Sequence, residues 1–171
     1  MMTSHEIDAM EKERAARHEA GHATVAAVEG RWIESCWLFR NDSGNPNESS
    51  WLGCMQTLGR GSACESIAGV VGELSIEDSS IVFDGSIPPE SAAEEIYIYI
   101  ELGIVELSST DREGLPANRD DWFPAIVEAV ELLRDHRDLF NWIVAELLSD
   151  EVVTDGEIRE QIDSGSLATE E

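Results

Sequence analysis

Arg17-His18-Glu19-Ala20-Gly21-His22-Ala23 is a His-Glu-x-x-His pattern inside a long helix-favouring run. On a helix, positions four apart share a face, so His18 and His22 present their imidazoles to one point. That spacing predicts two of the three protein ligands of an open, tetrahedral zinc site. Glu19 is turned about 100° from His18, beside the metal rather than on it. From there its carboxylate takes a proton from water whose pKa a zinc ion lowers to about 7.

The run from about residue 7 to 29 reads as one helix. Ala9, Ala16, Ala20, Ala23 and Ala27, with Met10, Val25 and Val28, supply its apolar stripe, and Gly30 ends it. Gly21 costs a helix about 1 kcal/mol against Ala, which predicts a close packing partner beside the metal. Two strand-like runs follow, Arg31 to Phe39 and Trp51 to Leu58, around the turn-rich 41–47 segment; they predict a hairpin. Symmetric pairing about that loop sets Cys36 opposite Cys54, as two small core residues. One of these strands is the expected edge that holds an extended peptide by backbone pairing.

Ser62-Ala63-Cys64-Glu65 is a capping-box signature for a second helix, Ala63 to about Leu74. Its Ala68, Gly69 and Gly72 make one side small enough to approach the first helix closely. Three carboxylates compete for the remaining ligand position. Glu73 ends the second helix. Asp84 lies in the irregular stretch 76–89, expected to be a mobile loop. Asp111 follows Ser108-Ser109-Thr110, where a capping box of Thr110 with Glu113 puts it in the first turn of a helix. The helix dipole favours an aspartate there by about 0.3–1 kcal/mol, with or without a metal.

Residues 90–99 read as a short helix, although Ile96-Tyr97-Ile98-Tyr99-Ile100 also alternates like a strand. In the last third, Trp122, Ile126, Val130 and Leu133 recur at helical spacing, and Leu139, Phe140, Ile143 and Leu147 resume it after Asp135-His136. A final helix follows Thr154-Asp155-Gly156-Glu157. The expected fold class is α+β and mostly helical: a zincin-like metal helix, a small β-hairpin or sheet, and a C-terminal helical bundle. Residues 1–163 form a single peptidase-like domain, and 164–171 a frayed C-terminal tail.

Thirty-six acidic residues against 11 basic ones give a net charge of −25, and Lys12 is the only lysine. Such a surface disfavours nucleic-acid backbones and anionic membranes. Its simplest meaning is a solvated acidic face; a basic peptide partner and mimicry of nucleic-acid charge are the other readings. Residues 1–20 lack the apolar segment of a signal peptide, and the most apolar run, Ile96 to Leu107, is broken by Glu101 and Glu106. Cys36, Cys54 and Cys64 are odd in number and not closely paired. A cytoplasmic, reduced protein is expected.

Four segments together resemble the FtsH family of membrane-anchored AAA+ zinc proteases. His18-Glu19-Ala20-Gly21-His22-Ala23 looks like its metal helix. Ile67-Ala68-Gly69-Val70-Val71-Gly72-Glu73-Leu74 is similar to its second helix, and Ser109-Thr110-Asp111 to its Ser-Asn-Asp segment. Leu147-Leu148-Ser149-Asp150-Glu151 through Thr154-Asp155-Gly156-Glu157-Ile158 is similar to its closing leucine-rich segment. The order is right, and the segments touch roughly half the chain. The resemblance implies zinc held by His18, His22 and Asp111, with Glu19 as catalytic base. The second helix departs from the family in lacking its arginine and one of its two glutamates. With no ATPase or Walker motif, the chain reads as a stand-alone relative of the peptidase domain, a soluble zinc-dependent endopeptidase for peptides or unfolded protein. A homo-oligomer and a separate ATPase partner stay open, as do a catalytically inactive binding module and an acidic nucleic-acid mimic.

Overall fold

From Glu19 to Ala27 every residue of the first helix is buried. A helical stretch with no solvent face belongs at the centre of a domain rather than on its surface, and the remaining elements are built around this half of the helix. The computed structural model describes the backbone of residues 1–168 and the side chains of residues 1–165. The elements are α1 (Ser4–Val28), β1 (Ile33–Arg40), β2 (Trp51–Thr57), α2 (Ala63–Glu77), α3 (Ser79–Phe83) and α4 (Pro89–Glu101). They continue with α5 (Ser109–Gly114), α6 (Trp122–Asp135), α7 (Arg137–Asp150), β3 (Val152–Val153) and α8 (Asp155–Ala168). The chain is α+β and mostly helical, with a small antiparallel sheet of order β2-β1-β3.

Helix α1 starts earlier than the apolar stripe because Thr3 and Glu6 form a reciprocal capping box. It packs most extensively on α2, and its other sides meet the sheet and α7. The α1–α2 crossing is backbone on backbone. A Cβ on Gly21 would lie 2.1 Å from the Ala68 carbonyl oxygen, and one on Gly72 2.4 Å from that of Arg17. Gly21, Ala68, Gly69 and Gly72 therefore do what their sizes predicted.

The hairpin forms with a register one step from the symmetric expectation. Arg40 pairs with Trp51, so Cys36 faces Met55 and Cys54 faces Trp37. The two thiols consequently lie on opposite faces of the sheet, both free. The extra step comes from the loop, which closes with Asn41 N–H on the Ser50 carbonyl at 2.9 Å. Strand β3, too short to show in the sequence, pairs Val153 with Cys36 and makes β1 the central strand. Strand β2 is left as an edge.

Residues 76–89 are more ordered than expected. Asp78 caps α3 by accepting from Ser80 N at 3.0 Å, and Ile81 and Val82 are buried. Arg134 then donates to the carbonyls of Ile81, Val82 and Ile87 at 3.0, 2.6 and 2.6 Å, tying the segment to α6. One distant guanidinium thus satisfies three carbonyls that local sequence cannot account for. Pro88-Pro89 opens α4, where Ala92, Ala93 and Ile96 are buried at helical spacing, so the alternating Ile96–Ile100 stretch is helix. Helix α8 continues to Ala168, past the start of the expected tail; residues 169–171 of that tail lie outside the described residues.

The crossing carries the first prediction. Gly21→Ala gains about 1 kcal/mol of helix propensity but forces a methyl into a backbone carbonyl, at about 1–3 kcal/mol or more. The net expected outcome is a destabilisation of about 2 kcal/mol, read as a lower midpoint in urea at unchanged slope.

Candidate metal centre

Helix α1 holds His18 and His22 one turn apart, facing α2 where that helix has no side chain. A Cβ on Gly69 would fall 2.3 Å from His22 Nε2 and 2.7 Å from His18 Nε2, so only glycine leaves room between the two imidazoles. Helix α2 also fixes both rings from behind. His22 Nδ1 lies 2.7 Å from the Glu65 carbonyl oxygen, which can only accept, so Nδ1 carries the proton and Nε2 presents a lone pair. His18 Nδ1 lies 3.1 Å from Glu73 Oε2, the matching arrangement with a carboxylate. Donation of the far ring nitrogen to a carbonyl or carboxylate is the usual support for a metal-ligating histidine.

The third group arrives from α5. Ser108, extended at φ −62 and ψ 162, caps that helix and accepts from Asp111 N at 3.0 Å. The cap is thus Ser108 rather than the predicted Thr110, because the helix begins two residues sooner. Asp111 Oδ2 lies 3.4 Å from His18 Nε2 and Oδ1 lies 3.3 Å from His22 Nε2, while the two Nε2 atoms are 3.1 Å apart. A tetrahedral ion at about 2.0–2.1 Å from its ligands sets them about 3.3 Å apart. His18, His22 and Asp111 thus form a group able to hold a metal ion. Asp111 Oδ2 is moreover buried without a hydrogen-bond partner. A buried carboxylate oxygen in that condition is costly, and a cation beside it, a metal ion or a protonated His18, relieves it.

Neither alternative third ligand is in this group. Glu73 stands behind His18 on its Nδ1 side, with Arg14 Nη1 3.8 Å from its other oxygen. Asp84 is exposed at the end of α3 and accepts from Ser86 N at 2.8 Å. Sequence reasoning placed Glu73 near the metal but missed that its helix runs antiparallel to α1, which brings it to the far nitrogen of the ring. It also missed the Glu65 carbonyl, which no side-chain motif reports.

Glu19 is buried beside the ligand group, against β2. A Cβ on Gly53 would sit 2.2 Å from its Cγ and 2.5 Å from its Oε1, so the strand approaches the carboxylate with backbone alone. Among the described residues no donor hydrogen-bonds its oxygens. Burial lifts its pKa above the ordinary carboxylate value, only partly offset by the two imidazoles. The group opens into a cleft of about 760 Å³, bordered by Trp51 to Met55 of β2 on one side and by Thr110, Asp111 and Gly114 of α5 on the other. No protein-family model matches the chain, and no curated protein is significantly similar to it.

In the metal-free protein, burial disfavours a charged His18. The adjoining carboxylates of Asp111, 3.4 Å away, and then Glu73, 3.1 Å away, outweigh it and push the imidazole up to about 10. Asp111 is likewise held well below the usual carboxylate range: burial opposes this, and the two imidazoles win. His18 is therefore protonated at neutral pH without metal, and a metal needs it neutral. Calorimetry in buffers of different ionisation enthalpy is expected to show about one proton released per metal bound near pH 7. The His18 pairing adds stability in full below its unfolded value of about 6.5 and loses it as pH rises through about 10. The melting temperature of the metal-free protein should accordingly fall across that window. Asp111→Asn is expected to lose metal by mass spectrometry, and Glu73→Gln to weaken binding about 10–100-fold.

Proposed function

We propose that this chain is a zinc-dependent endopeptidase, a zincin-like, stand-alone relative of the FtsH-family peptidase domain. The observation that carries the reading is the convergence of two imidazole Nε2 atoms and a buried carboxylate beside a second carboxylate, Glu19, that no donor among the described residues holds. His18, His22 and Asp111 would hold the ion. Zinc there supplies Lewis-acid activation of water and of a carbonyl carbon under attack.

The chain's own residues do the rest. Glu19, with its proton affinity raised by burial, takes the proton of the attacking water and delivers it to the leaving amine nitrogen. Having no donor to hold it elsewhere, its carboxylate is free to serve both steps. Strand β2 is an edge, so its outward N–H and C=O groups are available to pair with an extended substrate backbone along the cleft. A cleft of about 760 Å³ between β2 and α5 suits flexible segments and short peptides rather than folded protein.

Glu19→Gln is expected to keep the metal and lower the cleavage rate of a quenched-fluorescence peptide pool about 10²–10⁴-fold. Unchanged turnover in that variant would sink the reading, and wild-type protein that carries zinc yet cuts nothing would leave a binding module. Gly53→Ala is expected to act similarly at full metal content, because its methyl displaces the Glu19 carboxylate.

A further inference from the structure

The sheet covers α1 with one face and leaves the other uncovered. Ile33, Cys36, Leu38, Trp51 and Val153 point inward and are buried. The opposite face is set by the register: Trp37 beside Cys54 and Val152, and Phe39 beside Leu52. Trp32 and Leu58 extend it past the β-bulge at Glu34, joined by Leu58 N–H to the Trp32 carbonyl at 3.2 Å. Phe39 and Leu52 are each 40% exposed, Val152 46%, Trp32 54% and Leu58 60%. Six large apolar side chains in one stripe exceed the scattered exposure that needs no explanation.

The unpaired charges flanking β1 and β3 along this stripe are acidic. Glu34 at the bulge, Asp42 beyond the end of β1 and Asp150 just before β3 are exposed, and none forms an ion pair among the described residues. The neighbouring cations are turned off the face, and Arg60, two residues past Leu58, borders the cleft with Nη2 3.5 Å from the Glu113 carbonyl. Arg40 is bound to Asp8 and stacked 4.5 Å over the Trp51 ring on the inner side. Arg31 is paired with Glu65, and Lys12 with Glu151. An apolar stripe with an unneutralised acidic rim, on a chain of net charge −25, repels a second copy of itself and complements a cation-bearing one.

We infer that this outer sheet face is a docking surface for a cationic polypeptide segment. Its apolar side chains sit on Trp37, Phe39, Leu52 and Val152, and its lysines or arginines meet Glu34, Asp42 and Asp150. The inference does not depend on the peptidase reading: the face lies across the sheet from α1 and uses none of His18, Glu19, His22 or Asp111. If both hold, Leu52 and Cys54, which also border the cleft, connect the docking face to the site.

The test uses full-length protein carrying Glu19→Gln, so that the probe is not consumed, and fluorescence anisotropy of a labelled peptide of alternating leucine and lysine. Binding that weakens with added salt is expected, with no binding of the leucine–glutamate counterpart. Phe39→Ser combined with Val152→Ser, neither of which borders the cleft, should weaken it about tenfold or more, with metal content unchanged. Glu34→Gln with Asp150→Asn, which touches no packing, should flatten the salt dependence. Equal binding of both peptides, or retention of full affinity in both double variants, overturns the proposal. A dimer in sedimentation that the Phe39 and Val152 changes abolish overturns it in favour of a second copy. Cleavage of short peptides by the same face variants in a Glu19 background should be unaffected, which separates failure here from failure of the peptidase reading.

Discussion

Where α1 crosses α2, Gly21 rests on the Ala68 carbonyl and Gly72 on the Arg17 carbonyl, with no side chain between the helices. That contact sets the position of everything else at the site. It brings the Nε2 atoms of His18 and His22 onto Gly69 and lays α2 antiparallel behind the two rings. The Glu65 carbonyl then meets one Nδ1 and the Glu73 carboxylate the other. One helix thereby orients both imidazoles, and any change in helix separation would loosen both at once. Precision at the ligands is inherited from backbone contact, which is stiffer than contact between long side chains.

The scarce cations are spent on geometry rather than on neutralising the surface. Arg134 gathers three carbonyls around α3, and Arg31 joins Glu65 to the end of β2 through Thr57 and Gly59. Arg159 holds Asp155, which itself accepts from Ile33 N–H at 3.1 Å. Lys12 and Arg40 bracket the Trp51 ring at 4.6 and 4.5 Å. With most of its positive charges so engaged, the chain presents mainly carboxylates to solvent.

The parts legible in the sequence are those governed by short range. The 3.6-residue period placed α1, α6 and α7, and the small residues of α2 announced the close crossing. The His-Glu-x-x-His spacing brought two imidazoles together without any tertiary information. Asp111 was one of three open choices from local pattern, because its approach depends on how far α5 folds back over α2; only the resemblance singled it out. The hairpin register escaped because a loop contact between Asn41 and Ser50 and a bulge at Glu34 decide it. Strand β3 and the order in 76–89 escaped because both rest on partners far away in sequence, β1 for the one and Arg134 for the other.

Buried polar groups elsewhere in this chain are satisfied with care. Thr24 donates to the Ala20 carbonyl, Ser75 to that of Gly72, and buried Asp155 and Glu65 each hold an arginine. Against that background Asp111 Oδ2 stands out among the described residues as buried with no hydrogen-bond partner, and beside it lies Glu19, a buried residue that borders the cleft and bonds to no donor. A sequence selected for stability alone would replace either with an apolar residue, since removing an unpaired buried charge is neutral or favourable. Both instead converge on the point where two histidine Nε2 atoms are aimed. Two carboxylates and two imidazoles gathered in one buried cluster cost the fold their desolvation, and a bound cation would offset that cost. The cost the fold tolerates there is the physical reason to read the cluster as a working site.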